Sequence, residues 1–289
     1  MCGIVGAVGH KHCSSVLLDA LKRLEYRGYD SSGIVTIHDG KVSLTRAVGK
    51  LVNLDAALVK APLKGDIGIG HTRWATHGEV SAANAHPHVA SKRVSIVHNG
   101  IIENHRVIRQ RLEGEGHQFS SDTDSEVLAH LFVEAFDSGM EPAAATQKVL
   151  TEIEGAYAFA VMAIDYPDIL IVARNASPLA LGIGDDACYV GSDAIALSHL
   201  THKVVYLKDH DFALVRAEGV VVYQDDGVPV NREAVVVAAS PGLVDKGGYR
   251  HFMEKEIHEQ PDAIAHSLAA MTDEHGQLTT HMNDDALRA

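Results

Sequence analysis

The sequence predicts an α+β layered sandwich built on antiparallel sheets, and three observations support this prediction. Short β-branched segments recur along the chain, and the polar hairpin connections between them are typical of antiparallel rather than parallel sheets. Amphipathic helices occur in blocks instead of alternating strictly with strands, which argues against a doubly wound parallel fold. The chain has 289 residues, 46% of them hydrophobic, so it is long enough to form a large core plus an appendage.

The first third of the chain is expected to combine strands with amphipathic helices. Ser14 and Ser15 are expected to cap a helix whose leucines share one face. Asp39-Gly40 is typical of the turn in a β-hairpin. The predicted strands lie at residues 3–8, 33–38, 41–47, 67–71 and 93–98. The predicted helices lie after Ser15, at 51–60 and at 103–112.

Thr123 and Glu126 have the spacing of a capping box, which predicts that a strong helix begins there. Glu141-Pro142 opens a further helix, which is expected to end near Gly155. Beyond that point the pattern becomes mostly strand, at residues 156–164, 169–173, 188–190, 204–207, 212–216 and 220–223. Residues 239–251 contain Pro and Gly breaks that indicate a linker. A helix over 252–271 and a polar end follow.

Composition excludes several classes of function. The net charge of −13, without any basic run, argues against a nucleic-acid partner. No apolar run approaches the roughly 18 residues of a membrane span, and no signal-peptide pattern occurs. Three cysteines without a framework spacing fit a reducing cytosol, so we expect a cytoplasmic protein. The histidine pairs lack a completing set of ligands, so no metal is expected.

Cys2 is the first candidate catalytic residue. Removal of Met1 would give Cys2 a free α-amine beside its thiol. An α-amine titrates near ~7.7–8.0, so at cellular pH it can accept the thiol proton and return it to a leaving group. The alternative is a small hydrophobic residue at the start of a buried strand, and Cys2 taken alone favours that alternative.

The segment 71–78, His-Thr-Arg-Trp-Ala-Thr-His-Gly, leaves a predicted strand and enters a loop. It brings together a guanidinium, the only tryptophan of the chain, a hydroxyl and two imidazoles. Arg73 is suited to bind a carboxylate in bidentate fashion. The alternative is a surface loop in which Trp74 covers the edge of the core.

Two further positions have a catalytic and a structural interpretation. Asn99-Gly100 is a common hairpin turn, but the residues after it are predicted to be helical. The predicted helix weakens the interpretation as a turn and favours an oxyanion hole formed by the Asn99 amide and the Gly100 N–H. Asp124 either complements the dipole of its helix or binds the ammonium group of a substrate.

These motifs together resemble a known family, the glutaminase domain of isomerizing glutamine–fructose-6-phosphate aminotransferases. The resemblance extends from about Cys2 to Gln260. An amino-terminal cysteine is shared by all class II glutamine amidotransferases. The blocks Tyr-Arg-Gly-Tyr-Asp-Ser at 26–31 and Arg-Trp-Ala-Thr-His-Gly at 73–78 are more specific to this family. The matching segments are Cys-Gly-Ile-Val-Gly at 2–6, Leu-Glu-Tyr-Arg-Gly-Tyr-Asp-Ser at 24–31, the block at 70–78, His-Asn-Gly-Ile-Ile-Glu-Asn at 98–104 and Thr-Asp-Ser-Glu at 123–126.

The resemblance implies the four-layer αββα sandwich of amino-terminal-nucleophile hydrolases. It also implies that Cys2 is the nucleophile, with its own α-amine as base, and that Asn99 and Gly100 form the oxyanion hole. Arg73 and Asp124 would bind the α-carboxylate and α-amino groups of glutamine. Trp74, Thr76 and His77 would belong to the loop that closes over glutamine, with Arg27 close by. No metal or organic cofactor is implied.

The activity implied is hydrolysis of L-glutamine to glutamate and ammonia through a γ-glutamyl thioester on Cys2. In a full-length enzyme, expected to be a homo-oligomer, the ammonia would convert fructose 6-phosphate to glucosamine 6-phosphate. Residues 2–238 would be the glutaminase domain, 239–251 the linker and 252–289 the start of the connection to absent sugar isomerase domains. Two alternatives stay open: another class II amidotransferase, such as an amidophosphoribosyltransferase, and a module that binds glutamine without turnover.

Overall fold

The computed structural model describes residues 2–75, 78–237, 248–249 and 252–271. The chain divides into two compact units, Met1–Ala239 and Ser240–Ala289. The described strands, β1 to β15, are Gly3–Val8, Ser31–His38, Lys41–Val48, Ile67–Arg73, His88–Ala90, Val94–Ile102, Gly155–Ala163, Tyr166–Asn175, Ala180–Ile183, Cys188–Gly191, Lys203–Tyr206, Asp211–Arg216, Gly219–Gln224, Pro229–Val230 and Val235–Val236. The described helices, α1 to α7, are Cys13–Lys22, Leu51–Lys60, His105–Gly114, Glu126–Asp137, Pro142–Glu152, Ala194–Leu197 and Phe252–Met271.

Two antiparallel sheets form the centre of the first unit. The first sheet has eight strands in the order β15-β11-β9-β10-β1-β4-β2-β3, and the second has seven in the order β14-β13-β12-β8-β7-β6-β5. Every strand pair in both sheets is antiparallel. The predicted antiparallel architecture is therefore confirmed.

Three clusters of buried side chains show that the first unit has four layers. Residues of both sheets, such as Ile69 and Val172, share the cluster between them. The outer face of the first sheet packs on α1, α2 and α6 through residues such as Leu21. The outer face of the second sheet packs on α3, α4 and α5 around Phe132 and Phe159. The layers therefore follow the order αββα.

The helix predicted after Ser15 begins earlier than expected. Helix α1 starts at Cys13, and its N-cap residue, His12, makes no side-chain capping bond. Ser14 donates its hydroxyl to the Leu63 carbonyl, and Ser15 donates to the His12 carbonyl. The prediction that the two serines cap this helix is wrong, because both hydroxyls act as donors within and beside the first turn.

The predicted capping box is also wrong. Helix α4 begins at Glu126 with Ser125 as its N-cap, and Ser125 makes no side-chain capping bond. The Glu126 carboxylate accepts instead from the N–H groups and hydroxyls of Ser120 and Ser121. It therefore stabilises the segment that leads into the helix, and Asp124 lies before the helix rather than in its first turn.

Strand β6 is longer than predicted. It continues from Val94 to Ile102, and Asn99 and Gly100 pair with Ala158 and Tyr157 of β7. The expected helix from residue 101 therefore begins only at His105. Asn99-Gly100 is not a hairpin turn, because the strand passes through it. Strands β5, β9, β14 and β15, each of four residues or fewer, were not predicted from the sequence.

The second unit contains α7, which has the bounds that the sequence predicts, Phe252–Met271. Within it, Lys255 forms an ion pair with Glu259 at 3.6 Å. Apart from 248–249, the predicted linker at 239–251 lies outside the described residues, as does the predicted polar end after Met271. No helix in the described part of the chain is long and apolar enough to cross a membrane.

Candidate active site

The candidate residues converge at one end of the two central sheets. Cys2 directly precedes β1, which pairs with β4, and β4 ends at Arg73. Asn99 lies on β6 in the other sheet, and its side-chain Nδ2 donates to the Cys2 carbonyl oxygen at 3.1 Å. A pocket of about 270 Å³ opens here, lined by Cys2, Arg27, Trp74, Asn99, Gly100, Ile101, Ser177 and Pro178. Residues 97 positions apart in the sequence thus meet at Cys2.

The Cys2 thiol is hydrogen-bonded to the backbone of Trp74, another candidate residue. The Trp74 N–H donates to Cys2 Sγ at 3.2 Å, and Sγ lies 3.5 Å from the Trp74 carbonyl oxygen. Burial raises the pKa of the Cys2 thiol, and the hydrogen bond from Trp74 offsets part of that effect. A thiol in this environment is mostly protonated at neutral pH, so a nearby base is needed to activate it.

Gly100 has a backbone conformation that other residues rarely adopt. Its φ is +130°, and a Cβ built on it would lie 1.9 Å from the Ala156 carbonyl oxygen. Glycine is therefore required where β6 passes close to β7 beside the thiol. The neighbouring Asn99 amide is fixed from the opposite side, since His71 Nε2 lies 2.9 Å from Asn99 Oδ1.

Arg73 and Asp124 are both buried, each 4% exposed. They line a second cavity of about 30 Å³ together with Cys2, Trp74, His86, His98, Gly100, Thr123 and Ser125. The Arg73 guanidinium donates to the Gly78 and Glu79 carbonyls at 3.3 Å, and Asp124 accepts the Ile102 N–H at 2.8 Å. The hydrogen bond from Ile102 thus anchors Asp124 to β6. Such a bond holds the carboxylate more firmly than an interaction with a helix dipole would.

A loop around the 3₁₀ turn Glu25–Arg27 supports the Arg73-Trp74 backbone. A Cβ on Gly28 would lie 2.7 Å from the Arg73 carbonyl carbon, and Asp30 accepts the Ala75 N–H. Trp74 is 47% exposed, so about half of its surface is accessible beside the Cys2 pocket that it lines. The close approach at Gly28 explains why the segment needs glycine at that position.

Arg27 lines the same pocket as Cys2, as the sequence predicts, but its guanidinium is engaged elsewhere. Its Nη2 donates to Asp193 at 2.6 Å, and its Nε donates to the Tyr26 hydroxyl at 3.1 Å. Thr76 and His77, the two other predicted residues of the closing loop, lie outside the described residues.

A group of buried histidines beside the site was not predicted as functional. His71 stacks on His86 with ring centroids 4.3 Å apart, and His86 contacts His88 at 4.4 Å. Burial lowers the pKa of His71 and of His88 to about 3 each, and it lowers the pKa values of His86 and His98. In the described ranges, no three His, Cys, Asp or Glu side chains are arranged to hold a metal ion. His71 and His98 lie inside the matching segments 70–78 and 98–104, which could have indicated them, whereas His86 and His88 lie in none of those segments.

Comparison with known proteins shows which domain the chain contains. Residues 71–199 match the family model of a glutamine amidotransferase domain. This chain contains a glutamine amidotransferase domain. The matched range includes Arg73, Asn99, Gly100 and Asp124.

The amidotransferase chain is also similar to curated proteins named glutamine–fructose-6-phosphate aminotransferase (isomerizing). It is 51% identical to that of Mesorhizobium japonicum over 273 residues, which are 94% of this chain and 45% of the relative. It is 51% identical to that of Zymomonas mobilis subsp. mobilis over 268 residues, 93% of this chain and 44% of the relative. The chain thus spans less than half the length of these relatives and corresponds to their glutaminase part.

A solved structure supports the same fold for this amidotransferase domain. The glutamine phosphoribosylpyrophosphate amidotransferase of B. subtilis aligns with a TM-score of 0.67 at 27% identity, over 78% of this chain and 49% of that chain. Together with the αββα layers, this similarity identifies the first unit as a sandwich of the amino-terminal-nucleophile type.

Proposed function

We propose that this chain hydrolyses L-glutamine to L-glutamate and ammonia, with Cys2 as the nucleophile. The observation that carries the proposal is the setting of the Cys2 thiol. It lies in a pocket with Asn99 and Gly100 and accepts the Trp74 N–H at 3.2 Å. A positioned thiol next to two polar N–H donors is what acyl transfer from an amide requires.

The first half of the proposed reaction forms a thioester. Once Met1 is removed, the free α-amine of Cys2 takes the thiol proton, and the sulfur attacks the side-chain amide carbon of glutamine. The Asn99 amide has two N–H groups. One binds the Cys2 carbonyl oxygen, and the other, with the Gly100 N–H, stabilises the developing oxyanion. The protonated α-amine then gives its proton to the departing nitrogen, which leaves as ammonia.

The second half releases the product. Water, deprotonated by the same α-amine, attacks the γ-glutamyl thioester carbon, and the carbon–sulfur bond breaks. The sulfur recovers a proton from the α-ammonium group, so glutamate leaves and the free thiol returns. No metal, oxidant or organic cofactor enters this balance.

Arg73 and Asp124 are proposed to recognise the amino-acid end of glutamine. Their burial places one positive and one negative group in a cavity that adjoins Cys2. A zwitterion needs such a pair for its α-carboxylate and α-ammonium groups. The cavity, of about 30 Å³, is much smaller than the adjoining Cys2 pocket of about 270 Å³. Binding therefore needs the larger Cys2 pocket as well, with Trp74, Thr76, His77 and Arg27 proposed to enclose the substrate.

The acceptor of the ammonia belongs to the longer protein. The relatives at 51% identity are named as glutamine–fructose-6-phosphate aminotransferases, whereas the phosphoribosylpyrophosphate amidotransferase is 27% identical. We therefore favour fructose 6-phosphate as the acceptor, reached only through the isomerase domains of a full-length enzyme. The longer protein is proposed to be a cytoplasmic homo-oligomer, with residues 239–251 as the linker.

The decisive experiment measures glutamate release from L-glutamine by protein whose intact mass shows the loss of Met1. We expect activity that Cys2→Ala reduces by at least about 10⁴-fold, because the nucleophile is removed. Cys188→Ala is the matched control, since Cys188 is fully buried in β10 and bonds the Ala217 carbonyl. A loss in Cys2→Ala of less than about 10²-fold would contradict the proposal. Binding without release by Met1-free protein would favour the glutamine-binding module instead.

A further inference from the structure

We infer that His71 is a positioning residue that fixes which end of the Asn99 amide faces the reacting carbon. The inference rests on the proposed glutamine hydrolysis and adds a residue that acts through the oxyanion hole. An asparagine amide has an oxygen at one end and an NH₂ at the other, and the two ends are nearly equal in size. Only the NH₂ end stabilises an oxyanion.

The contacts of the His71 ring decide its tautomer. Its Nε2 lies 3.1 Å from the His98 carbonyl oxygen and 2.9 Å from Asn99 Oδ1. A backbone carbonyl oxygen can only accept a hydrogen bond, so Nε2 must carry a hydrogen. The His98 carbonyl thereby fixes the ring as a donor toward both neighbours.

The ring has only that one N–H to give. Burial lowers the pKa of His71 to about 3, so the imidazole is neutral at physiological pH and Nδ1 carries no hydrogen. Nδ1 is buried without a hydrogen-bond partner among the described atoms. The shared donor at Nε2 therefore needs an acceptor on Asn99, and the amide oxygen is the atom that meets it.

The opposite end of the amide then points to the catalytic side. Asn99 Nδ2 donates to the Cys2 carbonyl oxygen at 3.1 Å, which leaves its second N–H for the substrate. A flipped amide would place its oxygen against the Cys2 carbonyl and an N–H group against the N–H of His71. Both contacts would be repulsive, so His71 holds Asn99 in the productive orientation.

The test compares two substitutions of His71 by their steady-state kinetics with L-glutamine. His71→Gln keeps an N–H donor at the reach of Nε2, and we expect its kcat to stay within about 10-fold of wild type. His71→Leu fills similar space without a donor, and we expect kcat to fall about 10²–10³-fold with KM changed by less than about 3-fold. His88→Leu is the matched control, because His88 is buried in the same stack but bonds Thr123 rather than Asn99.

A double-substitution cycle separates positioning from general packing. If His71 acts through Asn99, His71→Leu should cost less than about 3-fold in kcat when Asn99 is already alanine. The rate of Cys2 alkylation by iodoacetamide should be the same in wild type and His71→Leu, since that reaction needs no oxyanion hole. Should His71→Leu fail to fold, His71→Asn takes its place, because its shorter amide does not reach Asn99 Oδ1.

Three results would overturn the inference. They are a kcat for His71→Leu within 3-fold of wild type, an equal loss in His71→Gln and His71→Leu, and full additivity in the cycle. Each of them leaves wild-type glutamate release intact and so leaves the proposed function standing. If the wild-type protein releases no glutamate, the proposed function fails, and this inference fails with it.

Discussion

Gly100 shows how strictly single backbone positions determine the candidate site. Its φ of +130° and the 1.9 Å between a built Cβ and the Ala156 oxygen leave no room for a side chain. The position lies inside β6, where a glycine normally weakens a strand. Gly100 also lines the pocket that contains Cys2, where the proposed oxyanion hole uses its N–H.

Replacing Gly100 with alanine should therefore affect both stability and turnover. We expect Gly100→Ala to lower the free energy of unfolding by about 2–4 kcal/mol, from strained φ and contact with β7. Displacing one oxyanion donor should also lower kcat about 10²-fold or more. Urea unfolding and glutamate release measure the two effects. Gly114→Ala, at a position where an added Cβ meets no atom within 4 Å, should leave kcat unchanged, and a wild-type kcat in Gly100→Ala would refute the assignment.

Residue types and motif order were enough to predict Cys2, Arg73, Asn99 and Asp124 as members of one site. The structure brings all four to the same end of the sheets, although their chemical roles stay predictions. His71 could not be predicted, because its role depends on a contact between β4 in one sheet and β6 in the other. No local pattern in the sequence reports which residues of two stacked sheets face each other.

At the scale of elements, the segment that leads into α4 positions Asp124. The Glu126 carboxylate is fully buried and accepts four hydrogen bonds from Ser120 and Ser121. Burial alone would raise the pKa of Glu126, but the contact with His130 at 3.9 Å and the bonds from both serines lower it well below its usual range. The carboxylate thus ties the loop before the helix to the first turn of the helix.

The capping-box prediction failed here for a physical reason. The spacing of Thr123 and Glu126 is correct, but the Thr123 hydroxyl lies within hydrogen-bond distance of His88 Nε2, at 2.9 Å. Glu126 accepts from residues further back than a capping box allows. Tertiary hydrogen bonds therefore override the local signal, whereas the helix itself, driven by its apolar periodicity, was predicted correctly.

Glu126→Gln should destabilise the protein by about 1.5–3 kcal/mol at pH 7, because a buried network of charge-assisted hydrogen bonds loses its acceptor. The folded pKa lies below the unfolded value, so the stabilisation is present above about pH 4.3 and is lost as the pH falls below it. Urea unfolding at pH 7 and at pH 6 measures this stabilisation. The difference between wild type and Glu126→Gln should be the same at both pH values, because both lie above the unfolded pKa of about 4.3. Glu113→Gln, at an exposed ion pair, should change the free energy of unfolding by less than about 1 kcal/mol at both pH values.

At the scale of the molecule, the sequence predicted the class of fold but not the order of its strands. Alternating apolar segments predict antiparallel sheets wherever they occur. Strand β1, however, lies between β4 and β10, and its pairing of Val5 with Gly191 joins distant parts of the chain. Such pairings are decided by the packing of the two sheets on each other, which local patterns do not contain.

The buried histidines next to that packing should make the whole domain sensitive to mild acid. Burial lowers the pKa values of His71, His86, His88 and His98 below the unfolded value of about 6.5. Below that pH the unfolded chain binds protons that the folded chain excludes, so the free energy of unfolding should fall by up to roughly 5 kcal/mol per pH unit. Above pH 7 these four histidines should not make the free energy of unfolding depend on pH.

Urea midpoints measured from pH 8 to pH 5 test this expectation directly. Because each histidine contributes up to about 1.4 kcal/mol per pH unit, His88→Gln should reduce the slope below pH 6 by about one quarter while keeping a side-chain amide near Thr123. His38→Gln is the matched control, since the His38 side chain is 47% exposed and should leave the slope nearly unchanged. Equal urea midpoints at pH 8 and pH 5 would mean that the four imidazoles take up protons in the folded state, and the neutral His71 on which the orientation of Asn99 depends would then be wrong as well.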